Sequence, residues 1–467
     1  GLVASAMQTT SELLIAHSHI QTTENQKINQ LKNDLFNSIK AESYNQAIDL
    51  VEEIMLLEEK MLGVDNPRRM FWIGIKGGIY TKQGRYNKAE KIFLNVLSFI
   101  SEAKGSNHIN TVDSRKKLAW LYNLQGLNDK AEFHLLIALE IEDKNLGPEN
   151  LDILSTINNL GVIYNSQGFY AKAADLFNRA LDVHDQAKGP LHFDSLITVN
   201  NLISAYKKLG FYNKAEPLAI RALEINEKNL GDAHLDTAKA LNRLALIYLD
   251  TGKYQKSNSH FIRAIKIYKE RLGLEHQHTA IARSNLALLF KEQGLYYKAK
   301  PLLNQALQVY EDRLGSDHST TISGINNLAS LYQDMGLYDK AEELFEIALV
   351  RTEKNRGANH EETARALNNL GLLYFIKGQY SKSKPLLIRG LEISKNVLGT
   401  DHPSTATSLS NLASLYKQQG LFKKAELYFV KALSINEGKL GPKHPVIAVS
   451  LNNLGELYYK MKQYAKA

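Results

Sequence analysis

Cysteine is missing altogether from the 467 residues. Disulfides, thiolate metal sites and a cysteine nucleophile are therefore excluded within them. The absence says little about compartment, because a repeat array needs no disulfide staple. Proline is scarce, with 9 residues, and the 29 glycines are spread out, so long linkers and low-complexity tracts are not expected. No apolar run reaches the length that spans a bilayer. No basic run with interleaved aromatics appears either. The excess of 57 basic over 49 acidic residues reads as a mixed, solvated surface, and no nucleic-acid partner is expected. No Ser-His-Asp spacing, Gly-rich phosphate loop or paired-acid motif stands out, so no catalytic residue, cofactor or metal is assigned.

What is present is a period. Gly84, Gly126, Gly168, Gly210, Gly252, Gly294, Gly336, Gly378 and Gly420 are spaced by 42 residues. A second series runs from Gly63 through Gly105, Gly147 and onward to Gly441 at the same spacing of 42, with no insertion or deletion. A chain of this length is too long for one core, and self-similarity at a fixed period marks a repeat array. Between the glycines the pattern is helical. Ile157, Leu160, Gly161 and Tyr164 form one apolar stripe, and Tyr170, Ala173, Phe177, Ala180 and Leu181 form a second. Each unit reads as helix A, a tight turn, helix B and a short loop, with both glycines at helix ends in a left-handed backbone. Asn66-Pro67, His402-Pro403 and His444-Pro445 place a proline where helix A begins, and Asn66 and Asn150 stand at its N-cap.

The pattern Leu160-Gly161-x-x-Tyr164, followed by Ala173-x-x-x-Phe177 and Ala180, resembles the tetratricopeptide signature. The period of 42 and the segment Leu409-Ser410-Asn411-Leu412-Ala413-Ser414-Leu415-Tyr416 are similar to the kinesin light chain type, and Leu398 to Pro403 resembles the Leu-Gly-x-x-His-Pro loop of bacterial arrays of that type. The resemblance covers about residues 31–467. It implies an all-α, right-handed superhelical solenoid of antiparallel helix pairs, and a non-enzymatic scaffold that holds a protein or peptide in its concave groove.

Four segments are expected: a tail or loose helix over 1–24, a divergent N-capping repeat over 25–66, nine regular repeats over 67–444 and a truncated eleventh over 445–467. The capping repeat keeps Tyr44 and Ala47, has Glu42 in place of the turn glycine, and builds helix A on Ile28, Leu31, Leu35 and Ile39. In the eleventh, Tyr464 and Ala467 sit in register for helix B. Its uncapped edge leaves open end-to-end self-association as a structural subunit, or continuation into a larger effector such as a caspase-like protease. Ala4-Ser5-Ala6, after Leu2 and Val3, fits a signal-peptidase site, so export stays open beside a favoured cytoplasmic location.

Counting 100° per residue from the core stripe puts one position of helix A nearly opposite it, on the face that the resemblance implies lines the groove. It holds Asn159, Asn201, Arg243, Asn285, Asn327, Asn369, Asn411 and Asn453. An amide ladder can bond an extended peptide backbone, or it can bond the neighbouring repeat. One turn on stand Trp120, Val162, Ser204, Leu246, Leu288, Ser330, Leu372, Ser414 and Glu456. Apolar groups there suit a binding surface, with Trp120, Leu246, Leu288 and Leu372 as its anchors, or packing between A helices. His108, His192, His234, His276, His318, His360, His402 and His444 share one loop register. Successive copies lie roughly 20 Å apart, two helix diameters, which is too far for one metal ion and points to capping. A lysine row at the start of helix B, from Lys88 to Lys466, is expected on the solvated convex face.

Overall fold

A computed structural model describes residues 24–63, 68–442, 444–463 and 466. Among these residues every regular element is helical, and twenty-one α-helices follow one another from α1 (24–40) to α21 (Pro445–Lys460). Odd-numbered helices are helix A of each repeat and even-numbered ones helix B. The segment expected as a tail lies outside the described residues up to position 23, as do Asn66, Pro67, Tyr464 and Ala467. The chain divides into two compact units, Gly1–Ile163 and Tyr164–Ala467, each described by itself below.

Helix B is 19 residues long in every repeat, from Tyr44–Leu62 to Phe422–Leu440. Its length is set by the two glycines. The turn series has φ between +69° and +79°, and the loop series has φ between +84° and +98°. The second series is more extreme than a left-handed helical turn. Gly273, with φ 91° and ψ 170°, sits in a region that essentially only glycine enters. Glu42 and Lys462 occupy the turn position without glycine, at φ 57° and 58°, so that position tolerates an L side chain. Space is open around a Cβ at either Gly273 or Gly294, so conformation alone decides the outcome of substitution. Gly294→Ala should lower stability by about 1 kcal/mol, and Gly273→Ala by about 2–3 kcal/mol. Urea denaturation of the two variants tests this order, and a larger loss for Gly294→Ala would contradict it.

The core follows from the stripes. Ala47, Ala89, Ala131, Ala173, Ala215, Ala299, Ala341 and Ala425 are fully buried where helix B meets helix A most closely. Ser257 and Ser383 replace alanine at this position and stay satisfied, donating to the Ala245 carbonyl at 2.8 Å and the Gly371 carbonyl at 2.7 Å. Beyond it, Phe93, Phe177, Phe261 and Phe429 fill the space between the helices. In the first repeat Ile28, Leu31 and Leu35 are buried against α2 (Tyr44–Leu62), with Ile39 packed beside them. Helices contact their chain neighbours, and some odd helices also meet the next odd one. Within each unit this stacking lays the free faces of successive A helices side by side.

Candidate functional groove

The asparagine series is half-buried except for exposed Asn159, and much of it bonds across repeats. Asn285 donates to the Asn242 side-chain oxygen at 3.2 Å, Asn327 to the Ser284 hydroxyl at 3.4 Å, and Asn369 and Asn411 to the oxygens of Asn326 and Asn368 at 3.4 Å. Arg243 bonds the Asn200 side chain in the same sense. Each partner lies 43 residues earlier, so this position of one repeat grips the residue just before the same position of the preceding repeat. The reading in which the amides bond the neighbouring repeat is thus realised at these five positions. Asn201 and Asn453 are half-buried.

The apolar series divides. Trp120 is 39% exposed and stands free on the groove surface. Leu246 packs against the cluster of Ala245, Phe261, Leu286 and Leu289, so its role is partly structural. Leu288 and Leu372 are half-buried, and Leu372 lines a cleft.

Two clefts open at the same register of helix A, one in each unit. In the second unit a cleft of about 390 Å³ lies between α15 (Ser319–Asp334) and α17 (Glu361–Ile376), over Phe345 and Thr352 of α16 (Tyr338–Arg356). Its walls are polar: Ser323, Asn326, Asn327, Ser330, Gln333, Glu362, Arg365 and Asn369. Glu362 is held by Arg356 at 3.0 Å, while Arg365 is exposed. In the first unit a cleft of about 350 Å³ lies between α3 (Arg68–Lys82) and α5 (Val112–Leu124), over α4 (Tyr86–Lys104). There the walls are apolar: Met70, Phe71, Phe93, Val96, Phe99 and Ile100. Gly74 stands where the other cleft has Asn326, and Lys117, paired with Asp113 at 2.7 Å, stands where it has Asn369.

Sequence reasoning missed one series that both clefts use. Four residues before the asparagines stand Phe71, Asp113, Ser155, Ile197, Lys239, Ile281, Ser323, Arg365, Thr407 and Val449. All but half-buried Ile281 are exposed, more so than the asparagines themselves. An i−4 step from the asparagine position lands on the same helix face and would have found them.

The loop histidines are N-caps. Nδ1 of all eight accepts the N–H two residues on, at 3.1–3.2 Å, from His108 with Asn110 to His444 with Val446. Asn150 does the same through its side-chain oxygen at 2.8 Å. Among the described residues no group of three His, Asp or Glu side chains could hold a metal ion.

The lysine row does more than meet solvent. Lys88, Lys130, Lys172, Lys214, Lys256, Lys340, Lys382, Lys424 and Lys466 each lie 4.9–5.8 Å from the ring centroid of the tyrosine near the end of helix A, and Lys298 lies 5.5 Å from that of Phe290. The ammonium sits against the ring face, an attraction of about 0.5–1 kcal/mol at an exposed site. The row therefore ties the two helices of each repeat together across the turn.

Stacked helix pairs that share an A-helix face are the architecture of a protein-interaction scaffold. The tetratricopeptide repeat pattern matches residues 70–144, 125–186, 194–270, 236–312, 317–393 and 366–438, and the chain belongs to the tetratricopeptide repeat family. Among solved structures it is similar to BtubC (BKLC) from P. vanneervenii, at 23% identity and a TM-score of 0.40 over 51% of this chain and 93% of that one. It is also similar to a putative kinesin light chain from Podosopora anserina with nearly identical TPR-like repeats, at 24% identity and a TM-score of 0.38 over 44% of this chain and 97% of that one. A Rap protein complexed with competence and sporulation factor is 14% identical, with a TM-score of 0.48 over 80% of this chain and 99% of that one. No curated protein matches the sequence. Among the described residues no helix is long and apolar enough to cross a membrane.

Proposed function

We propose that this scaffold binds peptide segments of partner proteins on the A-helix face, through the clefts at α3–α5 and at α15–α17. The observation that carries the reading is the exposed series from Phe71 to Val449. A purely structural array has no need for Phe71, Ile197 and Val449 to face water in register with Arg365. The polar cleft suits a backbone and a carboxylate, with the amides of Asn327 and Asn369 supplying donors and acceptors and Arg365 a planar fork. The apolar cleft suits a bulky hydrophobic side chain. Trp120, Leu246, Leu288 and Leu372 would contribute apolar contact along the same face, and Asn159, Asn201, Arg243, Asn285, Asn411 and Asn453 polar contact.

The test begins with a displayed library of random peptides selected on the purified chain. Binders to the polar cleft should lose about tenfold in affinity when Asn327→Ala and Asn369→Ala are combined, about 0.7 kcal/mol per lost contact. Helicity should persist, although each substitution also removes one link between repeats. The matched control is Lys340→Ala with Lys382→Ala, on the tyrosine-stacked row, which should leave affinity unchanged. If the lysine pair abolishes binding and the asparagine pair does not, the ligand lies on the outer face and the groove reading is wrong.

A further inference from the structure

The second unit winds far enough to meet itself. Helix α8 (Tyr170–Lys188) touches α20 (Phe422–Leu440), twelve helices later, where all other recorded contacts join near neighbours. Two loops form the contact on each side. The turns Gly168-Phe169-Tyr170 and Gly210-Phe211-Tyr212 face the loops His402-Pro403 and His444-Pro445.

Several independent features mark this seam. A methyl group at Gly168 would lie 2.8 Å from Pro403 Cδ, and one at Gly210 would lie 2.7 Å from Pro445 Cδ. The other turn glycines have open space around that position. Gly168 is buried and Gly210 half-buried, whereas the remaining glycines of the series are exposed. Tyr170 is 7% exposed, against 37% and 38% for Tyr254 and Tyr338 at the same place in other repeats. The Lys439 ammonium sits 3.2 Å from the centroid of the Phe169 ring and is steadied by Asp401 at 3.1 Å. His444 uses both nitrogens. Nδ1 accepts the Val446 N–H, so Nε2 carries the proton and donates to the Lys208 carbonyl at 3.1 Å.

The sequence carries the same pairing. Gly-Phe-Tyr occurs only in two consecutive turns and His-Pro only in two consecutive loops, and the two pairs meet in register. Neither motif is needed to form a repeat, since the other repeats fold with Arg, Leu, Lys or Gln after the turn glycine and with other residues after the loop histidine.

We propose that these paired motifs are a latch that closes residues 164–467 on themselves and holds their groove at a fixed aperture. The latch is small: two prolines on bare glycines, a cation on a ring and one hydrogen bond. A contact of that size holds a closed form while leaving an open one within reach, because each of its parts is individually weak.

The lack of cysteine makes the test clean. Asn213→Cys and Glu437→Cys, both at exposed positions on opposite sides of the seam, take spin labels for a distance measurement on the full chain. The labelled chain should give a single narrow distribution at short separation. Adding Phe169→Ala and His444→Asn should remove that component and replace it with a longer, broader one. Asparagine keeps the helix cap, as Asn150 shows, but cannot reach Lys208, so α21 should survive and helicity by circular dichroism should be unchanged. A narrow distribution that persists in the double variant would overturn the latch. So would a broad distribution in the labelled chain without the seam substitutions, which needs no variant to fold.

Discussion

Acidification from pH 7 to pH 4 should lower the stability of the first unit by about 3 kcal/mol through His134, and His134→Leu should abolish most of that loss. The imidazole is 9% exposed, stacked at 5.7 Å on Tyr122 and edge-on to Phe133 at 5.3 Å. Its Nδ1 is buried without a hydrogen-bond partner. Burial, and then the Arg115 and Lys130 charges, push its pKa down from 6.5 to about 4. A depressed histidine pKa means that the unfolded chain takes up the proton first. Stability is therefore complete above pH 6.5 and falls as pH drops toward 4, where the folded form also titrates, at about 1.4 kcal/mol per unit of difference. Burial also lowers the pKa values of His184, His278, His402 and His444, all in the second unit, so that unit loses stability with the same sign. Leucine occupies the equivalent place at Leu50, Leu176, Leu218, Leu302, Leu344 and Leu386, so the variant is already built into the fold. Urea denaturation across that pH range, with amide exchange followed on α5 and α6 (Asn128–Leu146), separates the two chains. Equal losses in both would remove His134 as the cause.

The helix pairs, their glycine boundaries and the buried stripe were legible in the sequence because they depend on neighbours within one repeat. A residue without Cβ at a fixed interval and an apolar stripe at helical spacing each report a local backbone state. The capping role of the histidines was legible for the same reason, since the cap spans two residues. Relations between repeats were harder to see. The asparagine ladder could be read either way because the partner of Asn369 is Asn326, in the preceding helix A, although the doublet Asn368-Asn369 held the clue. The lysine row looked merely solvated because its tyrosine lies across a turn whose closure puts Lys382 4.9 Å from the Tyr374 ring. The seam of Phe169 and His444 was not legible as a contact at all. It depends on how small rotations accumulate between repeats, and no local pattern in one repeat encodes that sum.

Truncating the aromatic walls of the cleft at α3–α5 should reduce the affinity of a peptide selected on that face about a hundredfold, with helicity and melting little changed. Phe71 is 56% exposed and Phe99 54% exposed, yet both line one cleft with Met70, Val96 and Ile100. The position of Phe99 is the informative one. Its equivalents Ile141, Val183, Ile225, Ile267, Val309, Ile393 and Ile435 are buried and Arg351 is half-buried, so this repeat turns a mostly core position outward. Across the cleft, Phe71 is braced edge-on by Trp72 at 5.1 Å, and Trp72 is fixed by its indole N–H to Glu58 at 2.9 Å. Gly74 leaves the floor bare where Asn158, Asn200, Asn242, Asn326, Asn368 and Asn452 stand in other repeats. Aromatic walls over a bare helix turn suit a large apolar side chain of the partner, and truncating such an anchor costs about 2 kcal/mol or more. Phe71→Ala with Phe99→Ala should therefore weaken binding by at least two orders of magnitude. Gly74→Asn should weaken it as well, because it returns the floor to the polar pattern of the other repeats. A Cβ at Gly74 meets only the flexible end of Lys117, at 3.2 Å, which can shift aside. Titration of a fluorescent peptide against the three chains measures the effect. Affinities that stay equal while binding still competes for the groove would show that the exposed rings serve no ligand, and the apolar cleft would drop out of the binding face.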